Sequence, residues 1–569
     1  MEGSRIFASY TLLGNGKSRL STTVQHSHHS LILVVFSAYG RANIVSHFIL
    51  DRVPLSRPFH KAAPHPTMGL LDIPPEIIDL IINLTLPDGI ESFSLSCRVI
   101  YERAQSAIKC HNNLKRRWRH TTNASPARRG DTLSILYEIS REPITAEYIF
   151  FLGLWDRRAE HEVDRGQDGY DFRNDEDAMQ RIKELLSSAE YNSDADPEEW
   201  WPHILSEDAA DEEENVDKLF ATVALLALLP NLKTLQLPDR WHEVRKAEAA
   251  ETLVPYVELL VSKSNDSKRR LRPLASLETL LPFVEEGYEV RAGLQCLQPF
   301  MTLKSIRNLY GVSCVAVEDD WGDVPTFHWP NPALKSPLTR IELASCCMDA
   351  GGLSSLLVNT PAVTIFRYSH QTKWDGLEYD WNPGEFIEAL SIHCGDRLEE
   401  LAITIDEIHG EIVNGLSSFL RFTKLRRLEV DVLPFCGPPL ESGQRLGHNA
   451  IIPERDRPWT HIDIPCMGDM LPPSICELTV NTDFPDPSEQ ALKALFKNIK
   501  DRKRDKLRNL EKAVIRQYKS SSAQQLADNF GVSLEAFEMN VADPRARSMM
   551  PLWKREFDSF VGGIVMTTG

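Results

Sequence analysis

Aliphatic residues along this 569-residue chain follow two rhythms, one helical and concentrated near position 80, the other strand-like and recurrent from about position 219 onward. Near position 80, Ile77, Leu80, Ile81 and Leu84 fall at i, i+3, i+4 and i+7, a spacing that predicts a helix. Ile78 and Ile82 make a second stripe beside the first, leaving Asp79 and Asn83 as a thin polar seam. Pro74 and Pro75 suit a first helical turn, where a missing N–H has no partner to lose, and Glu76 complements the positive end. A helix apolar on nearly all sides must bury two faces. One packs within its own small helical unit; the other needs the rest of the chain or a partner.

The second rhythm is aliphatic, two residues, aliphatic, one residue, aliphatic. It appears as Leu232-Leu235-Leu237, Leu338-Ile341-Leu343, Val363-Phe366-Tyr368, Leu398-Leu401-Ile403, Leu425-Leu428-Val430 and Ile475-Leu478-Val480. Weaker copies are Leu277-Leu280, Leu303-Ile306 and Leu510-Ala513-Ile515. The last two aliphatics share one face of a short strand, and the two-residue gap turns the chain into it. Helical stretches are predicted at 219–229, 352–358, 386–391, 415–422 and 489–500. Strand and helix in alternation resemble a leucine-rich-repeat solenoid, in which each unit needs its neighbours to cover its apolar face. The copies start roughly 25 to 50 residues apart against a usual 20–29, and most lack the Asn or Cys expected after the strand. Insertions are therefore expected at 315–332, with Trp321 and Trp329, and at 434–473; the alternative is a nonrepetitive α/β domain.

The stretch 71–101, LDIPPEIIDLIINLTLPDGIESFSLSCRVIY, resembles an F-box. Leu71, Ile73-Pro74-Pro75-Glu76-Ile77, the aliphatic helix, Asp88 near a turn and Leu95-Ser96-Cys97-Arg98 at the end of a second helix carry the resemblance. Two positions depart from the family pattern: Gly89 stands where Leu usually follows the Asp, and Ile100 replaces a common Trp, with Tyr101 just after. The resemblance implies docking on a Skp-type adaptor, and through it on cullin and RING subunits. The implied adaptor-binding residues are Leu71, Ile73, Pro74, Glu76, Ile77, Leu80, Ile81, Leu84, Phe93, Leu95, Cys97 and Tyr101.

Composition narrows the rest. Forty-two per cent hydrophobic and 25% charged residues are those of an ordinary globular protein. A formal net charge of −18 argues against nucleic acid or an anionic membrane as a non-specific partner. Ten scattered cysteines with no C-x-x-C pair argue for reduced thiols in cytosol or nucleus and against a disulfide framework or zinc site. Residues 1–67 are basic and acid-poor, with a run at 31–36 too short to span a bilayer. They are expected to be a disordered extension or a start upstream of the true one at Met68, with an organellar transit peptide as the alternative. His26, His28 and His29 have no Cys or carboxylate at ligand spacing, so no metal is expected there.

Between the two rhythms, Leu114 and Trp118 lie in a basic connector helix, 121–131 is a loop, Asp131 caps a helix through Ile139, and 147–155 is β-rich. Acidic residues dominate 160–217, which predicts a solvated, partly disordered insertion pinned to the domain by Trp200-Trp201. The basic run 497–508 contains Asp501 and Asp505 and is expected to be the solvated face of a repeat helix. Trp553, Phe557 and Phe560 form a stripe expected of a terminal helix that caps the open end of the stack.

No G-x-S-x-G, P-loop, H-E-x-x-H or G-x-G-x-x-G is present, so no catalytic residue, metal or cofactor is assigned. The expected architecture is α/β: an extension (1–67), an F-box helical unit (68–110), a connector with a first strand (111–158), an acidic insertion (159–218) and an irregular leucine-rich-repeat-like solenoid (219–569). The expected role is that of a non-enzymatic substrate receptor in a cullin-RING ubiquitin ligase, cytoplasmic or nuclear, holding an unidentified protein substrate on the concave face or loops of its repeats. The alternatives are an F-box scaffold that directs no ubiquitination, or an enzyme or small-ligand sensor in the α/β domain.

Overall fold

The structure is a computed structural model that describes residues 6–13, 19–27, 30–36, 42–49, 70, 73–122, 132–154, 172–188, 197–209, 219–244, 250–268, 272–317, 326–373, 380–444, 461–482, 488–516, 523–535 and 550–566. The chain divides into two compact units, 1–117 and 118–569.

In the first unit, strands β1 (Ile6–Leu13), β2 (Arg19–Ser27), β3 (Ser30–Phe36) and β4 (Ala42–Ile49) pair antiparallel in chain order, in a stretch where the sequence predicts no elements. A helical group follows: α1 (Pro75–Leu84), α2 (Ile90–Ser94), α3 (Arg98–Arg103) and α4 (Gln105–Trp118). Helix α1 opens with Pro75 in its first turn and Glu76 beside it, as its sequence dictates. Ile78, Ile82, Ile90, Ile100 and Ala104 form the core of the group. Arg103 clamps α3 to α1, donating from Nη2 and Nε to the two oxygens of Asp79 at 2.6 and 3.0 Å. Lys115 of α4 reaches Glu91 of α2 at 2.6 Å. The segment Leu95-Ser96-Cys97-Arg98 does not end a helix as expected; α2 stops at Ser94, and Cys97 precedes α3 in an extended conformation.

The second unit is α/β and is built on an open, fourteen-stranded parallel sheet. Its strands are β5 (His120–Thr122), β6 (Phe151–Gly153), β7 (Thr234–Gln236), β8 (Thr279–Leu280), β9 (Ala292–Gly293), β10 (Asn308–Val312), β11 (Cys314–Ala316), β12 (Arg340–Met348), β13 (Ile365–Gln371), β14 (Glu400–Glu407), β15 (Arg427–Asp431), β16 (Glu477–Asn481), β17 (Lys512–Arg516) and β18 (Ser533–Glu535). Twelve lie side by side in chain order, while β9 and β11 pair off that path alongside β12. Each strong copy of the aliphatic pattern is a strand, and their middle residues stand in register: Leu235, Leu280, Leu309, Ile341, Phe366, Leu401, Leu428, Leu478 and Ala513. One weak copy is displaced. Leu309, not Ile306, occupies the register position, so the true copy is Ile306-Leu309-Gly311. The third aliphatic is missing because a Cβ on Gly311 would stand 2.8 Å from Leu343 Cδ2 and 2.9 Å from Cys314 Sγ. Leu152 extends the row on the other side, which makes Ile149-Leu152-Leu154 a further copy within the run predicted to be β-rich.

Helices flank the strands: α5 (Thr132–Arg141), α6 (Glu176–Ser188), α7 (Pro197–Ala209), α8 (Leu219–Leu226), α9 (Ala250–Ser264), α10 (Ala350–Leu357), α11 (Pro383–Cys394), α12 (Ser488–Phe496), α13 (Ile499–Asp505) and α14 (Leu552–Met566). The cap proposed at Asp131 lies outside the described residues. Three expectations need correction. The acidic stretch contains two amphipathic helices, α6 and α7, whose Ala178, Ile182, Leu186, Trp200 and Ile204 are buried. Trp200 is the anchor, edge-on to Phe220 at 5.5 Å and to Tyr256 at 4.0 Å, and the buried Glu207 accepts from the Phe220 and Ala221 N–H groups at 2.8 and 3.1 Å at the start of α8. Residues 415–422 are not helical; Gly415 bridges to Pro439 instead. The terminal helix does not cap the end of the stack, but lies on the sheet.

Candidate functional site

Two surfaces stand out, one in each unit. In the helical group the core consumes Ile78 and Ile82, and Ile81 is buried too, so the expected outward stripe is only partly exposed. Leu80, Leu84, Leu95, Val99 and Tyr101 remain on the surface, Leu95 at 77% and Leu84 at 46% exposure. Pro74 and Glu76 are exposed and Ile77 is half-buried. Ile73, Phe93 and Cys97 pack partly against the internal core. Leu71 lies outside the described residues. The structure thus moves Ile81 from the candidate contacts to the interior. It adds Val99, whose exposure follows from helical geometry once its neighbour Ile100 turns inward.

The second surface is a face of the parallel sheet. Residues alternate across each strand. Phe366 and Tyr368 meet Phe386 of α11 on one face, so Arg367 and Ser369 occupy the other. On that other face the register row reads Tyr310, Glu342, Arg367, Ala402, Glu429, Thr479 and Val514. Helix α14 covers part of it. Trp553 and Phe557 join Phe151, Leu281, Tyr310, Val312, Ala344 and Ala402 in one apolar cluster, and Phe560 stacks on Tyr310 at 4.9 Å. Trp553 Nε1 donates to Thr404 Oγ1 at 3.1 Å.

The polar contacts under α14 form a shared network. Glu429 accepts from the Leu552 and Trp553 N–H groups at 2.7 and 3.0 Å, satisfying donors that a helix start leaves free. Arg516 Nη1 stands 3.6 Å from Glu429, and the same guanidinium reaches Asn481 at 3.0 Å and Glu535 at 2.9 Å. Arg367 bonds Glu556 of the helix at 2.8 Å and Glu400 at 2.9 Å. Lys554 is buried, and its Nζ donates to Glu286 at 2.9 Å, Asp406 at 2.9 Å and Ser345 Oγ at 3.1 Å. Burial works against the charge on Lys554, but Asp406 and Glu286 outweigh it and hold its pKa above the ordinary value. Burial likewise opposes the charge of Glu286, yet Lys554 and the Ser345 hydroxyl keep its carboxyl below the ordinary value. Burial raises the pKa of Glu429, against the pull of Asn481 and the two helix N–H groups.

A third cluster is wholly interior. Tyr368 OH lies 2.8 Å from His370 Nδ1, and the His370 ring stacks on Trp381 at 4.4 Å. Burial pushes the His370 pKa down to about 3, so the ring is neutral. Lys373 Nζ donates to the Gly287 carbonyl and to Gln371, both at 2.8 Å. These groups rigidify the sheet beside α11 and present no solvent-open face.

All ten cysteines are free thiols. Among the described residues no helix is long and apolar enough to cross a membrane. No family model matches the chain, and no curated protein matches its sequence.

Proposed function

We propose that this chain is an F-box substrate receptor of a cullin-RING ubiquitin ligase, its helical group docking on a Skp-type adaptor and its α/β unit, a solenoid of irregular leucine-rich-repeat-like turns, holding a protein client. One observation carries the proposal: the helical group that bears the F-box-like sequence keeps five large side chains, Leu80, Leu84, Leu95, Val99 and Tyr101, on its surface after its own core is filled. Leu80 and Leu84 stand one turn apart on α1, so their exposed side chains share one helix face. These side chains are on average about half exposed, so covering all five contributes on the order of 4–8 kcal/mol gross toward association. The in-register aliphatic row supports the repeat assignment for the α/β unit. Ubiquitin transfer is then a matter of proximity: the receptor positions a client lysine beside a loaded carrier enzyme and supplies no chemistry.

The test is affinity purification of the full chain beside a Leu84→Asp, Leu95→Asp double variant. Both side chains are exposed, so the charges leave the internal core intact. Adaptor, cullin and RING subunits should co-purify with the wild type and vanish from the variant, while client proteins persist. Equal adaptor recovery from both contradicts the assignment. Client abundance that stays constant when the chain is removed favours a scaffold that directs no ubiquitination.

A further inference from the structure

We propose that the sheet face beneath α14 is the client-binding surface, that α14 is its built-in occupant, and that the client is a helical protein segment presenting an aromatic–Lys–x–acid–aromatic pattern like that of Trp553, Lys554, Glu556 and Phe557. The inference rests on the receptor role only for the identity of the occupant's competitor; the exchange itself does not depend on the adaptor.

The face is built around one ammonium. A lysine has three donors, and Lys554 spends them on Glu286, Asp406 and Ser345, three groups drawn from separate parts of the sheet unit. Ser345 Oγ lies within reach of both carboxylates, and Ser369 Oγ bonds Asp406 from the next strand. Ser345 takes φ 53°, a conformation that side chains other than glycine rarely adopt, where β12 shifts register between Leu343 and Cys346. The backbone is thus bent to bring a hydroxyl to the lysine. Glu429 receives a helix start, and Arg367 receives a carboxylate one turn further on. Together with the apolar cluster around Tyr310 and Ala402, these groups specify helix polarity, one lysine, one acid and two aromatics.

The occupant itself is built to leave. Its second half is only partly buried: Phe560 is 42% exposed, and Val561 and Ile564 pack against the edge of the apolar cluster. Gly562 and Gly563 lie inside the helix, and a Cβ at either would touch nothing within 4 Å. Each glycine weakens a helix interior by about 1 kcal/mol relative to alanine. Departure of α14 returns Glu429, Arg367, Glu286 and Asp406 to water, which lowers the desolvation cost they bear in the covered state. Departure gives up the contacts of Trp553, Phe557, Phe560, Val561 and Ile564 and the ion pairs, and a client with the same pattern restores those of the first two turns.

The test uses the full chain and a fluorescent peptide of residues 550–566. Three proteins are compared: the wild type, Lys554→Glu, which sets a carboxylate against Glu286 and Asp406, and Glu556→Arg, which opposes Arg367 from an exposed position and spares the fold. The wild type should take up the peptide weakly, because its own helix competes. Both variants should bind it at least about tenfold more tightly, since a weakened internal occupant no longer occludes the face. A peptide carrying Glu in place of its lysine should bind none of the three. Equal binding to wild type and both variants overturns the proposal. So does failure of Glu556→Arg to bind the peptide while its circular dichroism and melting match the wild type. Adaptor recovery from the same samples reports on the receptor role separately: adaptor loss with peptide exchange intact contradicts that role and still supports the occupant.

Discussion

At the level of single residues, the informative groups are ionisable side chains that lie away from water and are held by several partners. Glu429 is the clearest case. Its carboxylate caps α14 and faces Arg516, a fully buried guanidinium. Glu429→Ala removes the cap and leaves that cation short of a partner, so a loss of about 3–5 kcal/mol of unfolding free energy is expected by urea titration. Glu286 tests the lysine cup by pH. Its folded pKa lies below the ordinary 4.5, so its contribution is complete above that ordinary value and is lost as the pH falls through the depressed one. Glu286 is half exposed, and screening by solvent keeps its contribution near ~1 kcal/mol. The stability gap between wild type and Glu286→Gln should therefore be open at neutral pH and close in acid. A gap that persists unchanged below the depressed value contradicts the assigned pairing with Lys554.

At the level of elements, the strands were legible and several of their surroundings were not. The aliphatic pattern announces a strand because its two last residues share a face, and the ladder from Leu235 to Ala513 bears this out. It fails at β10, where close packing of Leu343 and Cys314 demands Gly311 in place of an aliphatic. At 415–422 a false helix arises because Leu416, Phe419 and Phe422, all fully buried, fall at three-residue spacing. There Gly415 lets the chain pass close to the Gly437 carbonyl, where a Cβ would come within 2.7 Å. The Trp553, Phe557 and Phe560 stripe was visible as a helix, but its target was not: the strand residues it contacts precede it by 123 residues or more, and no local pattern encodes so distant a pairing. In the F-box-like segment the stripe at Ile77, Leu80, Ile81 and Leu84 was readable, yet which of its residues turn inward depends on how α2 and α3 close on α1. One element contact is directly testable. A Cβ on Gly352 in α10 would stand 1.9 Å from the Ala316 carbonyl oxygen of β11. Backbone cannot yield as a side chain does, so Gly352→Ala should cost about 3 kcal/mol, at or beyond the upper end of ordinary overpacking, as a lowered melting temperature.

At the level of the whole molecule, the two units divide the proposed labour: a small helical group with surface aliphatics for the adaptor, and a large parallel sheet whose polar face takes a helix. The central claim is that the exposed aliphatics of the helical group are a docking surface. The measurement that bears on it most directly is a titration of the purified full chain with a purified Skp-type adaptor, followed by calorimetry. A one-to-one complex with Kd below about 1 µM, a free energy of roughly −8 kcal/mol, is predicted for the wild type. Leu84→Asp with Leu95→Asp should weaken it at least about a hundredfold, a difference of about 2.8 kcal/mol. A folded wild-type chain that releases no heat and forms no complex, or a double variant that binds as tightly as the wild type, contradicts the account.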